Sequence, residues 1–230
     1  MNGTGVSVIV PTLDEADRIG ALIDALRILG FEEIIVSDGA SSDGTKGIAE
    51  SAGAIVVAGP RGRGKQLQCG AAAASCDNLF FLHADSMPPS NARAVIAQSL
   101  ATPGVIAGCF RLAFDRRHPL LDLYASMSRI NHDLFTFGDQ GFFIGRAAFD
   151  RIGGYSGAPI FEDTDIVRRA RRFGRFIKRG EPMTTSARRF LRSGIFRRQL
   201  SNTGMVVLYR LGVSPERLAL WYRPEKAFRE

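Results

Sequence analysis

The chain has 230 residues, 45% of them hydrophobic and 23% charged, with a formal net charge of +7. That length suits one domain with a full core, and the composition excludes both intrinsic disorder and a fibrous repeat. The positive charge is concentrated: Arg168, Arg169, Arg171, Arg172, Arg175, Lys178, Arg179, Arg188, Arg189, Arg192, Arg197 and Arg198 crowd the last third, giving a basic face for solvent, anionic lipid, nucleic acid or a phosphorylated substrate.

In chain order, VSVIV at 6–10 is a continuous apolar run of the kind found in a strand buried on both faces. Ile19, Leu22, Ile23, Leu26 and Leu29 follow at helical spacing and complete one βα unit. EIIVS (33–37), a helix from about Asp43, AIVVA (54–58), a helix from about Lys65 and LFFLH (79–83) continue the alternation. Strands separated by single helices predict a parallel, right-handed wound α/β sheet with ligands at the strands' C-terminal ends. The functional loops are therefore expected at 11–15, 38–43, 59–65 and 83–87.

The second half differs. VIAGCFRLAF (105–114) reads as a long antiparallel strand, followed by a helix near 119–132 and a short strand at GFFIG (141–145). FEDTD (161–165) opens another helix, and basic helices follow, punctuated by Gly204, Gly212 and Pro215. The three cysteines, Cys69, Cys76 and Cys109, lack metal-knuckle spacing and are expected as buried reduced thiols. MNGTG runs straight into the first strand with no signal-peptide pattern, which predicts a cytoplasmic location. The apolar run MVVLY (205–209) falls far short of the roughly 20 residues that span a bilayer.

Several loops carry residue types suited to chemistry. Thr12 and Glu15 in PTLDE have the spacing of a helix capping box, which explains both without a ligand, although the loop also opens at the ligand end of the sheet. Asp38 ends the second strand, where a carboxylate can bond a base or ribose; Ser42 and Asp43 read as caps of the next helix. GPRGRGKQ (59–66) satisfies the Gly-x-x-x-x-Gly-Lys phosphate loop but has Gln66 where a magnesium-binding Ser or Thr belongs, so Arg61, Arg63 and Lys65 indicate affinity for phosphate and not ATP hydrolysis. Asp85, at the end of a hydrophobic strand in HADS, offers Mg²⁺ or Mn²⁺ one carboxylate, to be completed by phosphate oxygens and water. Glu162, Asp163 and Asp165 exceed what a helix N-terminus requires, so one of them is a candidate base.

The order PTLDEADRI, VSDGASSDGT, GRGKQ, FLHADS, GDQGFFIGR, IGGY and FEDTDIVRR resembles glycosyltransferase family 2, inverting enzymes of the GT-A fold, over about residues 6–175. Within the family it is most similar to the small, anchor-free group assigned to arsenosugar biosynthesis. The resemblance implies a single glycosyltransferase domain: a nucleotide-binding half (1–103), an acceptor half (104–187) and a basic helical segment (188–230). It implies that Pro11, Thr12, Asp14 and Asp38 meet the nucleoside, and that Arg63 or Lys65 meets uracil or diphosphate. Asp85 would be the metal ligand, Asp163 of the Glu162–Asp163 pair the base, and Gly138, Asp139 and Gln140 the lining of the sugar and acceptor cleft. His83 departs from the pattern, standing where the family's Asp-x-Asp has its first Asp. The reaction implied moves a sugar from a nucleotide diphosphate, UDP first among them, to the hydroxyl of a small-molecule or lipid acceptor, with no nucleic acid partner.

Three rivals remain. A P-loop phosphotransferase is opposed by Gln66, and a sugar-1-phosphate nucleotidyltransferase by PTLDE in place of a glycine-rich first loop. A nucleotide-binding scaffold without turnover would use the amphipathic stretch Arg188–Tyr222, with Phe190, Phe196, Leu200, Val207, Leu211, Leu218 and Trp221, against an anionic membrane.

Overall fold

The computed structural model describes residues 5–221; the side chains of 189, 192, 193, 195 and 197–199 fall outside that description, as does Tyr222. The first half alternates as its apolar pattern predicts. β1 (Val6–Thr12), α1 (Ala16–Ile28), β2 (Glu33–Asp38), α2 (Thr45–Ser51), β3 (Ile55–Ala58), α3 (Arg63–Ala73) and β4 (Asn78–Phe81) follow one another. Next come a two-residue β5 (Ser86–Met87), α4 (Ala92–Leu100), β6 (Val105–Phe114) and α5 (Pro119–Met127). Two 3-10 turns, Asp133–Phe135 and Gly138–Gln140, precede β7 (Phe142–Gly145), α6 (Arg146–Arg151) and α7 (Glu162–Phe173). β8 (Arg175–Thr185), α8 (Arg188–Ser193), α9 (Ile195–Arg210) and α10 (Pro215–Trp221) complete the order.

All eight strands form one mixed sheet in the order β3-β2-β1-β4-β7-β6-β8-β5. The pairs β1–β2, β2–β3 and β1–β4 are parallel, whereas β7 runs antiparallel to β4 and β6. Side chains on successive residues of a strand point to opposite faces, so the apolar runs feed two cores. Val8, Val10, Phe80 and Leu82 pack with Ile19, Ile23 and Leu26 of α1 and Val95 and Ile96 of α4. Ile9, Leu79 and Phe81 pack on the other face with Leu67 of α3, Phe149 of α6 and Ile166 and Val167 of α7. Burying both faces explains why these strands read as continuous hydrophobic runs.

Three expectations change. β6 is antiparallel to β7 as its reading implied, but parallel to β8 on its other side. β8 itself is a strand where basic helix was expected. Arg175, Lys178 and Arg179 belong to it, and only Phe176 and Met183 supply fully buried apolar side chains, which leaves almost no period-2 signal in RFIKRGEPMTT. A register shift between Phe110 and Arg111 leaves Gly180 and Glu181 unmatched, and the Gly180 carbonyl accepts from Arg111 Nε. Cys109 is buried, but Cys69 and Cys76 are only half-buried; all three thiols are free. No helix among the described residues is long and apolar enough to cross a membrane.

Candidate active site

The loops after β1 and β2 interlock, and the ligand end of the sheet is built on that lock. Thr12 lies in β1, and its hydroxyl donates to Asp38 Oδ1 at 3.2 Å. No side chain of α1's own turn caps that helix, so the Thr12–Glu15 capping box does not form. The β2–α2 loop satisfies the orphan amides instead: Glu15 N–H donates to Thr45 Oγ1 at 2.7 Å and Ala16 N–H to Asp43 Oδ2 at 3.1 Å. Asp14, at φ 51°, accepts from Ser42 N–H at 2.7 Å, while its own N–H donates to Ser41 Oγ at 2.8 Å. Asp38 is buried, its Oδ2 accepting from Ser41 N–H at 2.9 Å and its Oδ1 from the Ser41 hydroxyl. Asp38 thereby organises the loop, and Asp14 presents the strained turn beside it.

The phosphate-loop pattern has a different physical basis here. Gln66 is buried, and its Nε2 donates to the carbonyls of Thr12 at 2.7 Å and Ser37 at 2.9 Å, tying together the ends of β1 and β2. Gly64 is required by close packing: a Cβ there would lie 2.7 Å from the Ser156 carbonyl oxygen and 3.2 Å from Glu162 Cβ. Lys65 and Arg61 are exposed, whereas Arg63 turns inward.

Arg63 is the hinge of the site. Its Nε donates to Glu162 Oε1, and its Nη2 lies 3.3 Å from Asp163 Oδ2. It also lines a cleft together with Pro11, Glu15, His83, Ala84 and Asp85. Glu162 is 1% exposed and a buried counter-ion to Arg63, and its Oε2 has no hydrogen-bond partner among the described residues. Asp163 is different. Gly138 and His83 both border it: a Cβ at position 138 would sit 2.1 Å from Asp163 Oδ2 and 2.8 Å from His83 Nε2, so any side chain there displaces one of them. Burial pushes the Asp163 carboxyl up to about 7, and the Glu162 and Asp139 charges add to that; Arg63 and the Gly138 backbone amide oppose it.

The Gly138–Gln140 turn divides in its roles. Gln140 is fully buried, donating to the Phe135 carbonyl at 2.8 Å and accepting from the Cys109 thiol, so it holds the turn and does not line the cleft. Asp139 is pushed up to about 6 by burial and then by the Asp85 charge; Arg63 and Lys178 act against this. Its Oδ1 is buried without a hydrogen-bond partner among the described residues. Among those residues no group of three or more His, Cys, Asp or Glu side chains forms a complete metal cage. The donor set nevertheless fits a hard divalent cation. Asp85 supplies a cleft-facing carboxylate, and Asp139 adds a second negative group close enough for its proton affinity to respond.

Sequence reasoning missed the part played by α9. Tyr209 stacks on Phe161 with ring centroids 4.5 Å apart, and Phe161 holds φ 61° immediately before Glu162 and Asp163. Arg210 pairs with Asp133 at 3.0 Å. An aromatic residue in the left-handed region is uncommon and persists only when its surroundings fix it, but nothing in a lone Phe–Glu–Asp triplet reveals that conformation.

The glucosyl-3-phosphoglycerate synthase of Mycobacterium tuberculosis, solved with Mn²⁺, UDP-glucose and phosphoglyceric acid, superposes with a TM-score of 0.63 at 20% identity, over 91% of this chain and 80% of that one. A mannosyltransferase from Pyrobaculum calidifontis, solved with GDP-Man and Mn²⁺, gives 0.58 at 23% identity, over 78% of this chain and 56% of that one. These likenesses establish a shared fold. In sequence, the chain is 41% identical over 64 residues to glycosyltransferase AglJ of Haloferax volcanii, covering 27% of this chain. It is 35% identical over 99 residues to glucosyl-3-phosphoglycerate synthase of Mycolicibacterium paratuberculosis, covering 38% of this chain. The matches span 21% and 30% of those two relatives' own lengths. The family model described as Glycosyl transferase family 2 matches residues 7–156, more than half of the chain. The chain belongs to glycosyl transferase family 2.

Proposed function

We propose that this protein transfers a glycosyl residue from a nucleotide-diphosphate sugar, a UDP-sugar first among the donors, to an acceptor hydroxyl with inversion at the anomeric carbon. One observation carries the reading: Asp85 and Asp163, from distant stretches of the chain, are joined through Arg63, which lines the cleft with Asp85 and pairs with Asp163. The similar folds solved with nucleotide sugars and Mn²⁺ support it.

Asp163 takes the proton of the acceptor hydroxyl as that oxygen attacks the face opposite the nucleotide. A carboxyl raised to about 7 is half-deprotonated near neutrality and binds the incoming proton more firmly than an ordinary aspartate. Arg63 stabilises the carboxylate before transfer, and the Gly138 amide fixes its orientation. Pro11, Thr12, Asp14 and Asp38 form the lip against which the nucleoside rests, and Lys65, exposed on the first turn of α3, is the contact to its phosphates. Asp85 is the residue that holds Mn²⁺ or Mg²⁺, and Gly138 and Asp139 lie along the sugar. Such a cation neutralises charge on the departing diphosphate. Substituting Asp163→Asn is expected to lower turnover of a UDP-sugar about 100- to 10,000-fold, since a positioned base contributes roughly 10²–10⁴ and an amide accepts no proton. Full activity in that variant would overturn the assignment.

A peripheral membrane contact is the second part of the proposal. Leu120, Leu123, Met127, Ile130 and Leu134 are exposed along and beyond α5, and Phe196, Leu200, Val207 and Leu211 along α9. Both sets recur at helical spacing, and residues 182–215 contain Arg188, Arg189, Arg192, Arg197, Arg198 and Arg210 without one acid. An anionic bilayer matches both features. Cosedimentation with phosphatidylserine vesicles at low salt that weakens at high salt is expected; no vesicle binding at low salt contradicts it.

A further inference from the structure

A second groove lies beside the first. Asp115, Arg116, Ser186, Arg188 and Leu191 enclose a volume of about 440 Å³. Three strand ends meet at its lining residues. β5 pairs with β8 through Ser86 and Thr185, and Asp115 N–H donates to the Thr185 carbonyl at 3.1 Å. Ser186 N–H donates to the Asp85 carbonyl at 3.1 Å, so the groove begins one backbone hydrogen bond from the residue assigned to the cation.

The charge of the walls points to an anion. Arg116 and Arg188 are both exposed and always protonated. The single carboxylate among the lining residues is already engaged, because Asp115 Oδ1 accepts from Ala187 N–H at 2.8 Å. Two guanidinium groups against one committed carboxylate leave a positive surplus, and guanidinium forks bind phosphate oxygens pairwise.

We propose that this groove binds the phosphate monoester of the acceptor, anchoring its charged end while its hydroxyl faces Asp163. The inference rests on the glycosyl-transfer reading and adds the acceptor's chemical class. A soluble phosphate ester and a lipid phosphate share this chemistry, so both serve as probes: glycerol 3-phosphate in solution, and phosphatidic acid in phosphatidylcholine vesicles.

The test titrates each probe against the full chain, with and without saturating UDP and Mn²⁺, so that a diphosphate site cannot be mistaken for this one. Wild type is expected to bind at least one probe. The double variant Arg116→Ala/Arg188→Ala is expected to bind it at least about tenfold more weakly, with UDP affinity changed less than about twofold. The charge-conserving Arg116→Lys/Arg188→Lys pair should recover part of the loss, which a merely unfolded variant does not predict. Response to glycerol 3-phosphate alone identifies a soluble acceptor, and response to phosphatidic acid alone a lipid one. Equal affinity in wild type and the double alanine variant, or binding of neither probe by wild type, overturns the proposal. Loss of UDP binding by wild type fails the donor reading instead, and the titrations without UDP still decide this one.

Discussion

Asp163 is set by opposed forces. Burial raises its proton affinity, the neighbouring Glu162 and Asp139 add to the effect, and Arg63 limits it, leaving a carboxyl that titrates at about 7. A base must be unprotonated to act, so kcat/KM is expected to rise with pH up to about 7 and then level off; a pH profile flat from 5 to 8 would contradict the assignment. The same shift has a consequence for stability. Between the ordinary aspartate range and about 7 the folded state holds a proton that the unfolded chain releases, so stability falls as pH rises through that window. Asp139, pushed up to about 6, contributes in the same direction, so Asp163→Asn should reduce this slope and abolish the part above about 6, as read by melting temperature across the window. Gly138 gives a complementary test. A Cβ there would meet Asp163 Oδ2 at 2.1 Å, so Gly138→Ala is expected to displace the carboxylate and cut kcat more than about tenfold while UDP affinity holds.

At the level of elements, Gln66 decides between two readings of one motif. In a phosphate loop the position serves a metal, whereas here the side chain bridges the carbonyls of Thr12 and Ser37. Gln66→Ala removes one buried hydrogen bond from each carbonyl, leaving Thr12 O with only the Gly39 amide at 2.9 Å, and should cost roughly 1–3 kcal/mol in denaturant unfolding. Gln66→Thr, which restores the phosphate-loop residue, should lose similar stability and gain no ATP hydrolysis; ATPase activity in that variant would revive the phosphotransferase. The alternating strands and helices of the first half were legible because strands buried on both faces write continuous apolar runs. β8 was not. Its charges sit on a strand whose pattern is broken by the Gly180–Glu181 bulge, and it was read as part of a basic helical surface. The cap of α1 was also misread, since its partners, Asp43 and Thr45, arrive from the next loop and spacing within one turn cannot show them.

For the whole molecule, the candidate residues could be named from sequence, but their division of labour required three dimensions. The pairing of Arg63 with Glu162 and Asp163 joins α3 to α7, a contact with no local signature. It sets Arg63, which also lines the cleft with Asp85, against both acids, and makes Glu162 its buried counter-ion. Gln140 is likewise buried, its amide completing bonds to Phe135 and to Cys109 of β6 that no local pattern reveals. These residues meet at the ligand end of a mixed sheet, where Arg63 links the cleft lined by Asp85 to Asp163; the proposed division has Asp85 hold the cation and Asp163 take the proton. Isothermal titration of UDP, with and without Mn²⁺, into wild type, Asp85→Ala and Asp163→Asn tests that division most directly. The expected result is that Mn²⁺ tightens UDP binding in wild type and Asp163→Asn alike, while Asp85→Ala loses that enhancement and binds at least about tenfold more weakly. Undiminished, Mn²⁺-dependent UDP binding in Asp85→Ala would contradict it.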